Sequence, residues 1–200
     1  MNFLAHLLLA DPTPPSRVGN LLPDLHRGRL PTDLEPAVWD GVVRHRRVDA
    51  WTDAHPVFER SRDRLRARHG RYSGILVDVF YDHVLARQWE QHHPEPLPRF
   101  IDAVHRDLQS YAGPLPPQVR LVLAMMVREN WLGTNSSLAG IELTLGRLSA
   151  RLSRRFSREV DLTPAVADLR EGYAEVASDF AIFFPALRAR LDAPPPGHVL

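Results

Sequence analysis

The chain has 200 residues, 44% of them hydrophobic, and a formal net charge of +1. That length and apolar content suit one domain with a sizeable core, and the charge gives no global drive towards nucleic acid or membrane. The absence of cysteine excludes disulfides, thiolate metal sites and cysteine nucleophiles, so any metal must be held by His, Asp, Glu and water.

Apolar residues recur at spacings of three and four without long alternating runs, which predicts helices almost throughout. In chain order they are expected at 2–10, 16–26, 36–53, 56–69, 73–91, 97–112, 115–132, 136–155 and 163–191. Breakers separate them: Pro12, Pro14 and Pro15, then Pro31, Pro56, Gly70, Pro94 with Pro96 and Pro98, Pro114 with Pro116 and Pro117, and Pro164. The opening MNFLAHLLLADP lacks a basic n-region and carries His6, so it does not read as a signal peptide. No stretch approaches the roughly 20 apolar residues of a membrane span, and the expected location is cytoplasmic. Residues 1–192 are expected to form a single all-α domain, a compact multi-helix bundle. The Pro-rich tail 193–200 is expected to be disordered.

Candidate chemistry lies on four of these segments. His6 is the only ionisable residue of the apolar first helix, and Asp24 the only acid in GNLLPDLHRG, where His26 and Arg27 follow it. In GVVRHRRVDAWTD, His45, Asp49 and Asp53 step by four and share one helix stripe with Thr52 beside them; Arg44, Arg46 and Arg47 surround it. In GILVDVFYDHVLARQW, Asp78 and Asp82 are four apart on an otherwise apolar face, with His83 adjacent. Burying an unpaired carboxylate costs several kcal/mol or more, so an arginine or a metal is expected opposite them. Each residue also has a plainer reading. His6 can be a satisfied core histidine, Asp24 a loop or capping residue, Asp49 and Asp53 a salt-bridged surface, and Asp78 and Asp82 partners of buried arginines. Spacing alone therefore supports a His/Asp metal site in a helical protein on one side and a non-enzymatic, ion-paired helical adaptor on the other. No P-loop, GxSxG, HExxH or dinucleotide fingerprint is present.

The segments MNFLAHLLLA, GNLLPDLHRG, HRRVDAWTD, DVFYDHVLARQW and the ENWL at 129–132, in that order over nearly the whole chain, resemble the acyl carrier protein phosphodiesterase family. Residues 134–160 match it loosely and are expected to shape which carrier protein is accepted. The resemblance implies an all-helical, HD-domain-like fold and a divalent ion, Mn²⁺ first, with Mg²⁺ or Fe²⁺ as alternatives. It also implies hydrolysis of the phosphodiester that joins 4′-phosphopantetheine to a serine of holo-acyl carrier protein. On this reading the metal ligands come from His6, Asp24, His45, Asp82 and His83, with Asp49, Asp78 and Asp53 close behind. The adjacent pair reads Asp82-His83, not His-Asp, so the ligands do not map one for one onto the wider superfamily.

In the expected mechanism Arg46 or Arg47 grips the phosphate oxygens, and Asp78 or Asp49 accepts the water's proton or orients a ligand imidazole. Two basic rows, Arg60, Arg62, Arg64, Arg66, Arg68 and Arg71, then Arg147, Arg151, Arg154, Arg155 and Arg158, are expected to steer an acidic carrier protein. The competing activity is an HD-like phosphohydrolase acting on nucleotides or other small phosphoesters.

Overall fold

Proline begins several of the helices, where its missing N–H and fixed φ cost nothing. It opens α2 (Pro14–Leu25), α3 (Pro36–Ala54), α4 (Pro56–His69) and α7 (Pro117–Arg128), and Pro98 lies in the first turn of α6 (Leu97–Ser110). The others are α1 (Phe3–Leu8), α5 (Ser73–Arg87), α8 (Trp131–Thr134), α9 (Leu138–Phe156), α10 (Ala165–Glu171) and α11 (Tyr173–Asp192). The structure, a computed structural model, describes residues 1–192; the tail expected to be disordered lies outside them. Among the described residues the chain is an all-α bundle with no strand, and no helix is long and apolar enough to cross a membrane.

Three expected helices are interrupted. The 73–91 segment stops at Arg87 and continues as a 3₁₀ turn over Trp89–Gln91. The 115–132 segment breaks at Asn130, whose φ of 46° is left-handed and whose side chain accepts the Gly133 amide at 3.2 Å to start α8. The 163–191 segment divides at Gly172, between α10 and α11.

Helix α5 is the buried axis. Leu76, Val77, Val79, Phe80, Tyr81, Val84 and Leu85 are all buried, and α1, α4, α9 and α11 pack around it. From α11, Phe180 and Phe183 meet Phe58 and Tyr81 with ring centroids 5.2–6.1 Å apart, and Phe184 stacks on Phe180 at 4.9 Å. The closest helix pair is α2 with α3. A Cβ on Gly19 would lie 2.2 Å from the Val38 carbonyl oxygen, and one on Gly41 2.6 Å from that of Ser16 and 2.9 Å from Gly19 Cα. The two backbones touch, and only hydrogen at both positions allows it.

The first basic row is engaged within the fold. Asp179 of α11, 2% exposed, accepts Arg60 Nε at 3.0 Å and Ser61 Oγ at 2.7 Å, and also pairs with Arg64. Burial pushes the Asp179 carboxyl up, but the two guanidinium groups and the hydroxyl outweigh that and hold it below its ordinary range. Arg62 reaches Glu59 and Arg66 reaches Asp63, both at 3.0 Å, while Arg68 and His69 share Asp168. Arg71 lies over the Tyr72 and Phe156 rings.

Gly41→Ala is expected to cost about 3 kcal/mol or more, because backbone cannot yield as a flexible side chain can. Urea unfolding indistinguishable from wild type would show that α2 and α3 can separate freely. Asp179→Asn is expected to lower the melting temperature by about 5 °C at pH 7. The folded-state carboxyl is held below its ordinary value of 3.8, so its contribution is fully present above that value and is lost as pH falls from there through the lower folded-state value. The gap between wild type and Asp179→Asn should therefore close below about pH 4, and a gap constant from pH 7 to pH 3 would contradict this.

Candidate active site

Helix α1 has six residues and no side-chain cap of its own. A helix that short does not persist alone, and its first amides lack intrahelical partners. Helix α5 supplies them. Asp82, fully buried, accepts the amides of Leu4 at 2.8 Å and Ala5 at 3.1 Å, with Asn135 Nδ2 at 3.3 Å. Asp78 Oδ1 pairs with the Met1 amine at 3.0 Å. The two acids expected to face an arginine or a metal thus face the start of α1, which removes the arginine partners that the adaptor reading needs. Burial raises the Asp82 carboxyl to about 7 against the opposing amide bonds. It raises Asp78 as well, against the Met1 amine.

So anchored, α1 places His6 against α3. The His6 and His45 rings stack with centroids 4.0 Å apart and 17° between planes. The Asp49 carboxylate spans both: Oδ1 is 3.1 Å from His6 Nε2 and Oδ2 is 3.0 Å from His45 Nε2. Asp24, at the end of α2, brings Oδ1 to 4.0 Å from His45 Nε2. The imidazoles are sealed, at 0% and 3% side-chain exposure, while Asp24 and Asp49 are 36% and 41% exposed. The cluster therefore has a buried nitrogen wall and an open carboxylate rim.

Protonation follows from contacts. Burial lowers His6 to about 4, so it is neutral at pH 7. Burial acts the same way on His45, but Asp49 and Asp24 outweigh it and raise its pKa. Burial would raise Asp49, but the hydrogen bonds from His45 and His6 hold it well below the carboxylate range, and it stays ionised.

The donors fit a divalent cation. His45 Nδ1 is 2.7 Å from the Asn20 carbonyl oxygen, which can only accept, so Nδ1 carries a proton and a neutral ring turns its Nε2 lone pair on the Asp49 carboxylate. Lone pair against anion is repulsive unless a proton or a cation lies between. His6 Nδ1 is buried without a partner, so that ring too has one nitrogen ill-served by protein alone. His6, His45 and Asp49 each bring one ligand atom within 4.8 Å of the others. Two imidazole nitrogens and a carboxylate suit a first-row divalent ion, and a backbone carbonyl on the far nitrogen is a common support for such a ligand.

Of the expected site residues, the structure gathers His6, Asp24, His45 and Asp49, with Asp78 behind them. It does not bring Asp82 and His83 into the cluster. Asp82 anchors α1, and His83 Nδ1 is bound to the Asn135 carbonyl at 2.7 Å with its ring edge-on to Tyr173. Arg46 and Arg47 are exposed, turned about 100° and 200° from buried His45 around α3. Asp53 is exposed as well, and the Thr52 hydroxyl bonds back to the Val48 carbonyl. Two residues had no sequence signal. Asn20 acts through its backbone carbonyl, and Asn135 joins Asp82 to His83 from a loop whose position depends on the whole fold.

The family model described as acyl carrier protein phosphodiesterase matches residues 1–187. The chain belongs to that family. A relative named acyl carrier protein phosphodiesterase from Serratia proteamaculans (strain 568) is 34% identical over 188 residues, covering 94% of this chain and 95% of the relative. Others bearing the same name, from Enterobacter sp. (strain 638) and Yersinia enterocolitica, are 34% and 31% identical, covering 94% and 95% of this chain and 95% and 97% of the relatives. No solved structure matches at a significant level. With its all-α bundle and His/His/Asp cluster, the family member described here has the HD-domain-like arrangement that the resemblance implies.

Asp82→Ala is expected to cost about 3 kcal/mol, with or without EDTA, because it leaves two buried amides without an acceptor. Asp49→Ala should instead lose the stabilisation that Mn²⁺ gives wild type while changing little in EDTA. A variant of Asp82 that unfolds like wild type in EDTA but no longer responds to Mn²⁺ would return Asp82 to the ligand set.

Proposed function

We propose that residues 1–192 form a single metal-dependent phosphodiesterase domain that hydrolyses the 4′-phosphopantetheine–serine phosphodiester of holo-acyl carrier protein, yielding apo-carrier and 4′-phosphopantetheine. The observation that carries the reading is the Asp49 carboxylate spanning the facing Nε2 atoms of His6 and His45, in a chain matched by the family over most of its length. His6, His45 and Asp49 would hold the ion, with Asp24 beside them, and Mn²⁺ fits this donor set best, ahead of Mg²⁺. When bound, the ion supplies Lewis-acid polarisation of a phosphate oxygen and lowers the pKa of a water.

The chain's own residues do the rest. Asn20 fixes the His45 tautomer through the 2.7 Å bond to Nδ1. Asp24, on the open rim, is placed to orient the attacking water. Asp78, which burial makes more basic than a free carboxylate, is placed to take up a proton. The sealed wall formed by His6 and His45 keeps bulk water from one side, so the substrate enters over the carboxylate rim. An acidic carrier protein fits the outer face of α9, where Arg154 and Arg155 are exposed, better than the internally paired row on α4. A substrate of this kind supports a cytoplasmic location.

Incubation with holo-acyl carrier protein and Mn²⁺, read by intact mass, should show loss of the phosphopantetheine group. His45→Ala and Asp49→Ala should each reduce the rate by about 100-fold or more. Activity should fall on the acid side as His45 gains a proton and its nitrogen is withdrawn from the ion. Turnover of nucleotides or small phosphodiesters with holo-carrier left intact would overturn the assigned substrate.

A further inference from the structure

Five arginines among the described residues are buried or half-buried: Arg17, Arg44, Arg62, Arg147 and Arg151. Four have a carboxylate partner: Asp107 at 2.7 Å, Asp11 at 3.4 Å, Glu59 at 3.0 Å and Glu129 at 3.4 Å, respectively. Arg151 makes no ion pair within 4.0 Å and no hydrogen bond to any described residue. A partly buried guanidinium carries five donors and gives up hydration, so a protein normally satisfies it. Arg151 alone of the five keeps its donors for water or a ligand.

Its surroundings show where the group points. The charges that act on Arg151 are Asp24, then Arg27 and Arg155. Asp24 is the carboxylate 4.0 Å from His45 Nε2, so Arg151 lies on the Asp24 side of the imidazole pair. The backbone that carries it is fixed on both sides. Ser149 Oγ accepts the Leu162 amide at 2.8 Å, and Ser153 Oγ accepts the Val160 amide at 2.9 Å. One turn of α9 is thereby stapled to the segment that follows it, with Leu152 buried between the two serines. A guanidinium with a fixed base, free donors and a second pair of arginines beside it is built to receive an oxyanion.

We propose that Arg151 grips the phosphate group of the substrate, with Arg27 and Arg155 extending the positive rim around it. The inference rests on the phosphodiesterase reading for its substrate, a phosphate diester, and replaces Arg46 and Arg47 in the role expected of them. Asp24 is 4.0 Å from His45 Nε2 and is the acid whose charge acts on Arg151. A phosphate lying on the open rim bonds to the fork of Arg151 with two of its oxygens while its phosphorus faces the His6–His45–Asp49 cluster. The row on α9 is thus divided in function, with Arg151 facing inward to the phosphate and Arg154 outward to solvent.

The test is titration of the full chain with inorganic phosphate in EDTA, by calorimetry, so that no metal ion holds the anion. Arg151→Ala should bind phosphate about tenfold more weakly or worse, and Arg46→Ala with Arg47→Ala should bind it as wild type does. Arg151→Lys keeps stem and charge without the planar fork; it should fall between, and it serves if the alanine variant does not fold. With holo-carrier and Mn²⁺, Arg151→Lys should lower kcat/KM, whereas the Arg46 and Arg47 variants should not. Phosphate binding that is undetectable in wild type, or equal in wild type and both Arg151 variants, overturns the clamp. Hydrolysis of holo-carrier with kcat and KM unchanged in the Arg151 variants overturns the clamp while the phosphodiesterase reading stands. Arg151-dependent phosphate binding by a wild type that leaves holo-carrier intact supports the clamp and overturns that reading.

Discussion

The contact between Gly19 and Gly41 sets the position of everything that matters in the site. Because neither residue has a Cβ, α2 and α3 approach until backbone meets backbone. The residue after Gly19 is Asn20, and the residue one turn after Gly41 is His45. Their juxtaposition, carbonyl to Nδ1 at 2.7 Å, is therefore a direct result of the crossing. The same approach sends the end of α2, with Asp24, alongside the imidazole. Two glycines thus fix a tautomer, a ring orientation and the neighbouring acid at once. A side chain at either position would separate the helices and leave the carbonyl short of the ring.

The second constraint runs through α5. An otherwise apolar helix face carries two carboxylates one turn apart; Asp82 meets the first turn of a helix too short to form unaided, and Asp78 meets the Met1 amine just before it. The electrostatic sense is favourable, since the positive end of α1 receives the negative groups. Burial works against it, and the Asp82 carboxyl is raised to about 7 as a result. The bonds to Leu4 and Ala5 and the amide of Asn135 answer that cost. What α5 stabilises is less its own packing than the location of His6.

Much of this was visible in the sequence. The proline breakers marked helix starts within two or three residues, since proline at the first position is a local effect. The stripe of His45 and Asp49 was readable because a spacing of four puts both on one face whatever surrounds the helix. His6 and Asp24 stood out as lone ionisable residues in apolar surroundings. Asp82 and His83 stood out for the same reason, yet a buried acid needs only donors, and backbone amides leave no mark in a sequence. Arg46 and Arg47 drew attention through adjacency in sequence, whereas their angle around α3 turns them about 100° and 200° from His45. Arg151 was read as one member of a basic row that steers an acidic partner, and only the packing of α9 leaves it half-buried. The break at Asn130 depends on a left-handed residue that asparagine permits but does not demand.

Half of the imidazole wall is carried by six residues of helix, and the other half by the tightest helix pair in the protein. These two parts cannot have equal resistance to opening. Local unfolding of α1 breaks few backbone bonds, whereas parting α2 from α3 means dismantling the core. The cluster can therefore come apart at His6 while His45, Asp49 and Asp24 keep their places. Releasing α1 would expose the buried Leu4 and Leu7, and any cation that binds both rings adds to the free energy that holds α1 in place. Ordering of the amino-terminal helix and occupancy of the site are thus thermodynamically linked, with the far larger part of the bundle acting as a rigid template for both.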